Sequence, residues 1–218
     1  YVHAHPKAFN DAEVELHYRL SISHNLFKNR KIQEFWGSHV ADFFAGKAEL
    51  PCGEIVCPSD YIHLFYLLHH AFRHLISGGI GLRQMMDIYF AIMHRDAGMD
   101  ARLMKDVNDM GMTRFASASM WVLRTVFALP EIPSLWNADE SEGQFLLNEI
   151  MAGGNFGHGD TRFRHPTSRA GKLVEIARRN LHLLSHYESD ALAAPFYYIW
   201  HFFWKRIQIC RMWFRRRV

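Results

Sequence analysis

Ser59-Asp60-Tyr61-Ile62-His63-Leu64-Phe65-Tyr66-Leu67-Leu68-His69-His70-Ala71-Phe72-Arg73-His74-Leu75-Ile76-Ser77-Gly78-Gly79 is the stretch on which the fold turns. It opens on a serine placed to cap a helix and closes on a glycine pair that ends one. At about 100° per residue, Leu64, Phe65, Leu68, Ala71, Phe72 and Leu75 fill one apolar arc, while His63, His70 and His74 lie within about 40° of each other outside it. One face is thus built for a core, and the imidazoles face away from it.

The same period runs outward in both directions. Helical stretches are expected over Asn29–Ala45, from Leu82 to about Asp96, and over Asp100–Met110, Thr113–Leu129, Asp139–Ala152, Thr167–Tyr187 and Leu192–Arg217, with Gly, Pro or Asn/Asp breaks between most of them. Residues 46–58, with Pro51, Cys52, Gly53, Cys57 and Pro58, read as irregular. Before residue 29 the period changes to two: Val14, Leu16, Tyr18 and Leu20 alternate with Glu13, Glu15, His17 and Arg19, and Asn10-Asp11 supplies a turn after Tyr1–Ala8. The expected architecture is α+β and predominantly α. An N-terminal β-hairpin over 1–28 precedes a body of about eight helices over 29–218. A two-stranded hairpin is marginal alone, so helices must cover it or further strands must complete its sheet.

Composition narrows the function classes. The chain has 218 residues, 49% of them hydrophobic and 14% aromatic, enough apolar surface to build a core and exclude a disordered chain. A net charge of +3 is too small for a dedicated nucleic-acid binder. Three cysteines cannot frame a disulfide scaffold and fit a reducing, cytoplasmic setting. The apolar run Ala191–Trp204 contains Pro195 and His201 and falls short of the ~20 residues of a membrane span.

Several residues could carry chemistry. His70 and His74 stand at i,i+4, a spacing at which two imidazoles can share a metal, although no Glu follows His70 as a metalloprotease pattern requires. Arg83 and Asp87, also i,i+4, are expected to form a surface pair. The turn Gly78-Gly79-Ile80-Gly81 brings Arg83 beside the histidine helix, where it could instead meet an anion. Gly153-Gly154-Asn155-Phe156-Gly157 lacks the Gly-Lys-Ser/Thr ending of a phosphate loop. Cys52 and Cys57 have no second ligand pair and read as structural cysteines. Phe196, Trp200, Phe203, Ile207, Cys210 and Phe214 form one stripe of the last helix. Such a stripe is most often buried against the body, the other reading being an anionic membrane surface beneath the nearby arginines. On the hairpin, Glu15 and His17 share a strand face with Glu13 and Arg19, and His3 and His5 are expected opposite them.

Three segments together carry a family resemblance: Glu13-Val14-Glu15-Leu16-His17-Tyr18-Arg19-Leu20; Ile62–Asp87 with Leu67-Leu68-His69-His70, His74 and Leu82-Arg83-Gln84-Met85-Met86-Asp87; and Gly153–Gly157. They resemble the C-terminal part of the uncharacterised bacterial nucleotidyltransferase family found beside surface-polysaccharide genes. The family's sheet carries a Gly-Ser motif, two carboxylates one residue apart and a third on a later strand, which bind the Mg²⁺ that orients the triphosphate. The resemblance puts Glu15 at the third-carboxylate position, catalytic and metal-binding, and makes His70, His74, Arg83 and Asp87 substrate-binding. No Gly-Ser followed by Asp-x-Asp precedes Glu15, so the chain is expected to be the later strands and helical half of such an enzyme, inactive alone. The complete form would transfer a nucleotidyl group from a Mg-NTP to an acceptor.

Two other classes compete. One is a non-catalytic helical binding or scaffold module using the histidine face and the Gly153 loop. The other is a metal-dependent phosphohydrolase using His63, His70, His74 and Asp87, whose usual adjacent His-Asp pair is absent.

Overall fold

The structure, a computed structural model, describes residues 3–4, 16–17, 19–154, 159–162 and 168–215. It contains eight α-helices among those residues, α1 (Leu26–Ser38), α2 (Asp60–Ser77), α3 (Leu82–His94), α4 (Asp100–Asp109), α5 (Thr113–Phe127), α6 (Glu140–Gly153), α7 (Arg169–Leu183) and α8 (Glu188–Arg215). The expected mainly helical α+β architecture with an N-terminal hairpin is present. β1 (His3–Ala4) pairs antiparallel with β2 (Leu16–His17), His3 opposite His17 and Ala4 opposite Leu16.

The chain divides into two compact units, the first of residues 1–23 and 27–160, the second of 24–26 and 161–218. In the first, α2 is the core helix: Ile62, Leu64, Phe65, Leu68, Ala71 and Leu75 are almost wholly buried, the arc expected from the sequence. Phe65 stacks on Phe35 of α1 at 4.1 Å between centroids and meets Trp36 edge-on at 5.5 Å. The Trp36 indole N–H, which burial would otherwise strand, donates to Ser21 Oγ at 3.0 Å. α3 adds Met85, Ile88 and Ile92, α4 Leu103 and Val107, and α5 Phe115, Val122 and Leu123. α6 lies so close to α5 that a Cβ on Gly143 would fall 2.6 Å from Trp121. Between α3 and α4 the Arg95 guanidinium grips Asp100 with two hydrogen bonds of 2.6 and 2.7 Å, both side chains buried, and Ser134 Oγ donates to the same carboxylate. Removing either partner would leave a buried charge unmatched, at a cost of about 3–5 kcal/mol.

Two segments depart from the sequence reading. The first is α1, which stops at Ser38, where Ser38 Oγ donates to Phe35 O and His39 Nδ1–H to the same carbonyl; a 3-10 turn over Val40–Phe44 completes the run expected as one helix to Ala45. The second is the segment expected to be irregular, which is a second hairpin of β3 (Gly46–Leu50) and β4 (Gly53–Cys57), Gly46 opposite Cys57 and Leu50 opposite Gly53. Its side chains are mostly exposed on both faces. With neither face buried, the alternation of apolar and polar residues that marks a strand has no cause to appear. Pro51-Cys52 forms the tip, and Gly53 takes φ 127°, which a side chain would resist. Cys52 at the tip and Cys57 at the root are about 17 Å apart along the strand, too far to share a zinc ion.

In the second unit α7 and α8 pack on one another, burying Leu183, Tyr187, Ala191 and Ala194. Pro195 lies inside α8. The described part of the stripe expected in the core is instead exposed, Phe196 being 73%, Trp200 59% and Phe203 58% accessible, while the side chains of Cys210 and Phe214 lie outside what the structure describes. Among the described residues the last buried position of α8 is Ala194, and the stripe begins beyond it.

Candidate functional site

The site is built on α2 and α3. Ser59 Oγ accepts the Ile62 amide at 3.4 Å and fixes where α2 starts, which sets the register of every residue on its polar face. At the far end the Gly78 and Gly79 amides both donate to His74 O, at 2.9 and 2.8 Å, and Gly79 turns the chain with φ 136°. The buried Ile80 anchors the turn, and Gln84 Oε1 accepts the Gly81 amide at 3.0 Å to open α3. So short a connection returns α3 alongside α2 in the opposite direction. The first turn of α2 then meets the last turn of α3, where the Asp96 amide donates to Asp60 Oδ2 at 3.3 Å.

Between the helices runs an open groove of about 520 Å³. α2 contributes Asp60, His63 and Leu67, and α3 contributes Asp87, Phe90, Ala91 and His94. Asp87 is exposed and enters no hydrogen bond or ion pair with any described residue. His94 is oriented by its Nδ1–H, which donates to Phe90 O at 2.9 Å. Two carboxylates, two imidazoles and one exposed aromatic ring can hydrogen-bond and stack on a small polar molecule.

His70 and His74 stand further along the same face of α2. Their Nε2 atoms are 3.0 Å apart, so one carries a proton that the other accepts, and Tyr66 Oη lies 3.4 Å from His70 Nδ1. Burial, followed by the nearby Arg73 charge, lowers His74 to about 4, so it is neutral at pH 7. A neutral imidazole can accept or donate a hydrogen bond, and adds no positive charge to the face.

Of the residues expected to bind substrate, the structure therefore sets Asp87 in the groove and pairs His70 with His74, but these two histidines do not line the groove that Asp87 lines. The exposed Arg83 sits one turn before Asp87 on α3, and the ion pair expected between them is not formed among the described residues. Glu15 lies outside the described residues, as do Asn155–His158 of the glycine loop. Among the described residues no group of three or more His, Cys, Asp or Glu side chains is placed to hold a metal ion. Sequence reasoning missed Asp60 and His94. They are far apart in the chain, and the usable signal was the antiparallel return: a turn that short sets the first residues of α2 against the last of α3.

A mainly helical α+β protein with a polar groove between two antiparallel helices, preceded in the chain by a strand pair, defines the general class. Its family is shown by comparison: the model of an uncharacterised nucleotidyltransferase family matches residues 2–128, more than half of the chain, and the chain belongs to that family. The matched region includes both hairpins and α1–α5. No curated protein and no solved structure matches.

Proposed function

We propose that this chain is the substrate-binding part of a nucleotidyltransferase-like protein that, in complete form, transfers a nucleotidyl group from a Mg-NTP to an acceptor. The observation that carries the reading is the family match, which spans Glu15 in the sequence and the whole α2–α3 hairpin. On this reading the exposed Arg83 offers its planar fork to a phosphate, and Asp87, without a described partner, accepts hydrogen bonds from the hydroxyl or amine of the acceptor, with His63 and His94 beside it in the groove. The His70–His74 pair contributes one further donor or acceptor on the same helix face. Mg²⁺ would supply charge neutralisation of the triphosphate when bound; an octahedral ion that dehydrates reluctantly needs several converging oxygens, and Glu15 alone does not provide them.

The test is calorimetric titration of Mg-ATP and the other Mg-NTPs into the chain, repeated with Glu15→Gln. Weak binding unchanged by the substitution is expected. Micromolar binding that vanishes in Glu15→Gln would place a competent metal site on this chain and overturn the partial-site reading. In the complete protein, Asp87→Asn is expected to lower nucleotide transfer at least about tenfold while leaving the melting temperature nearly unmoved, because exposed positions without partners contribute little to stability.

A further inference from the structure

α8 has 28 residues and, at 1.5 Å per residue, a length of about 42 Å. Phe196, Ile199, Trp200, Phe203 and Ile207 recur at three- and four-residue spacing and form one strip along it, each between 45% and 73% accessible. A monomeric protein rarely leaves so continuous an aromatic strip in water. The charge around it is one-sided. Arg206 is exposed at the flank of the strip and Lys205 on the opposite face, the sequence continues with Arg211 and Arg215–Arg217, and from Tyr197 onward it contains no Asp or Glu. No helix among the described residues is long and apolar enough to cross a membrane.

We infer that α8 is a peripheral membrane-binding helix that lies flat on an anionic lipid surface, its aromatic strip at the acyl boundary and its basic side chains among the headgroups. Charge selects this occupant. A second copy of α8 laid parallel would bring the same cations against one another, whereas an anionic bilayer neutralises them and takes up the aromatic rings in the same contact. Tryptophan and phenylalanine suit that depth, since their rings are apolar and the indole N–H still reaches water or a headgroup.

The experiment is co-sedimentation of the full chain with vesicles of phosphatidylcholine alone and with about one-third phosphatidylglycerol. Binding at least about tenfold tighter to the anionic vesicles, weakening as salt is raised, is expected. The double substitution Trp200→Ser/Phe203→Ser should abolish it. Arg211→Glu/Arg215→Glu, which leaves the strip intact, should remove only the preference for anionic lipid, and circular dichroism checks that both variants keep their helices. Equal binding to both vesicles, no binding to either, or a dimer in solution that Trp200→Ser/Phe203→Ser dissolves would each overturn the inference.

Discussion

His69 is buried on α2, its ring parallel to that of Phe65, and its Nδ1 has no hydrogen-bond partner among the described residues. Burial, reinforced by the positive charge of Arg73, lowers it to about 3. The folded state therefore keeps His69 neutral while the unfolded chain protonates it near pH 6.5. Between those values the unfolded state binds more protons, so the stability this residue contributes is complete above pH 6.5 and is lost as pH falls toward 3, at a slope of up to about 1.4 kcal/mol per pH unit. Urea unfolding at pH 7, 6 and 5 is expected to show a falling midpoint in the native protein and a flatter profile in His69→Leu. Parallel profiles would refute the assignment. His74 is lowered in the same direction but is partly open to solvent, so its share of the acid limb is smaller.

At the scale of elements, the α5–α6 contact rests on the absence of a side chain. In an open helix, replacing Gly143 by alanine would stabilise by about 1 kcal/mol. Here the new Cβ would lie 2.6 Å from Trp121 Cβ, Cδ2 and Cε3, atoms close to the α5 backbone that cannot swing away. The sign reverses: Gly143→Ala is expected to destabilise by about 1–2 kcal/mol, read as a lowered thermal midpoint, and a raised midpoint would show that the helices can part. Such close approaches have no periodic signature, which is why they are invisible in the sequence while α2 is plain in it. Ser59, the apolar arc from Leu64 to Leu75 and the Gly78-Gly79 stop all act within one helix and could be read from spacing alone. β3 and β4 could not, because no buried face patterned Lys47–Leu50 or Glu54–Cys57. The groove was half legible for a related reason: Asp87 was in view, and its companions Asp60 and His94 belong to it only through the antiparallel return. The α8 strip was legible from spacing, but whether a neighbour covers it is a matter of tertiary packing, which the spacing within one helix does not record.

On the scale of the whole molecule, the division at residue 160 means that the groove and the aromatic strip stand in different units, the first in 27–160 and the second in 161–218. Each unit has its own buried residues, around Phe65 and Leu75 in one and around Leu183 and Ala194 in the other. Separate cores melt separately unless a large apolar interface ties them. Scanning calorimetry is therefore expected to record two transitions, the smaller from the α7–α8 unit. A single transition whose calorimetric and van't Hoff enthalpies agree would show that the two fold as one. Trp200→Ser/Phe203→Ser should leave the α1–α6 transition where it is.

The β3–β4 hairpin is held by its ladder and by the exposed Lys47–Glu54 pair at 2.8 Å, with its root fixed where Gly46 passes too close to Pro58 O for any side chain. Its tip, Leu50–Gly53, is exposed. Residues inserted between Pro51 and Cys52 would lengthen the hairpin without displacing a core atom, and the exposed Cys52 thiol is a ready point for attaching a fluorophore. The exposed tip of the hairpin is thus a natural handle for tethering or imaging the protein.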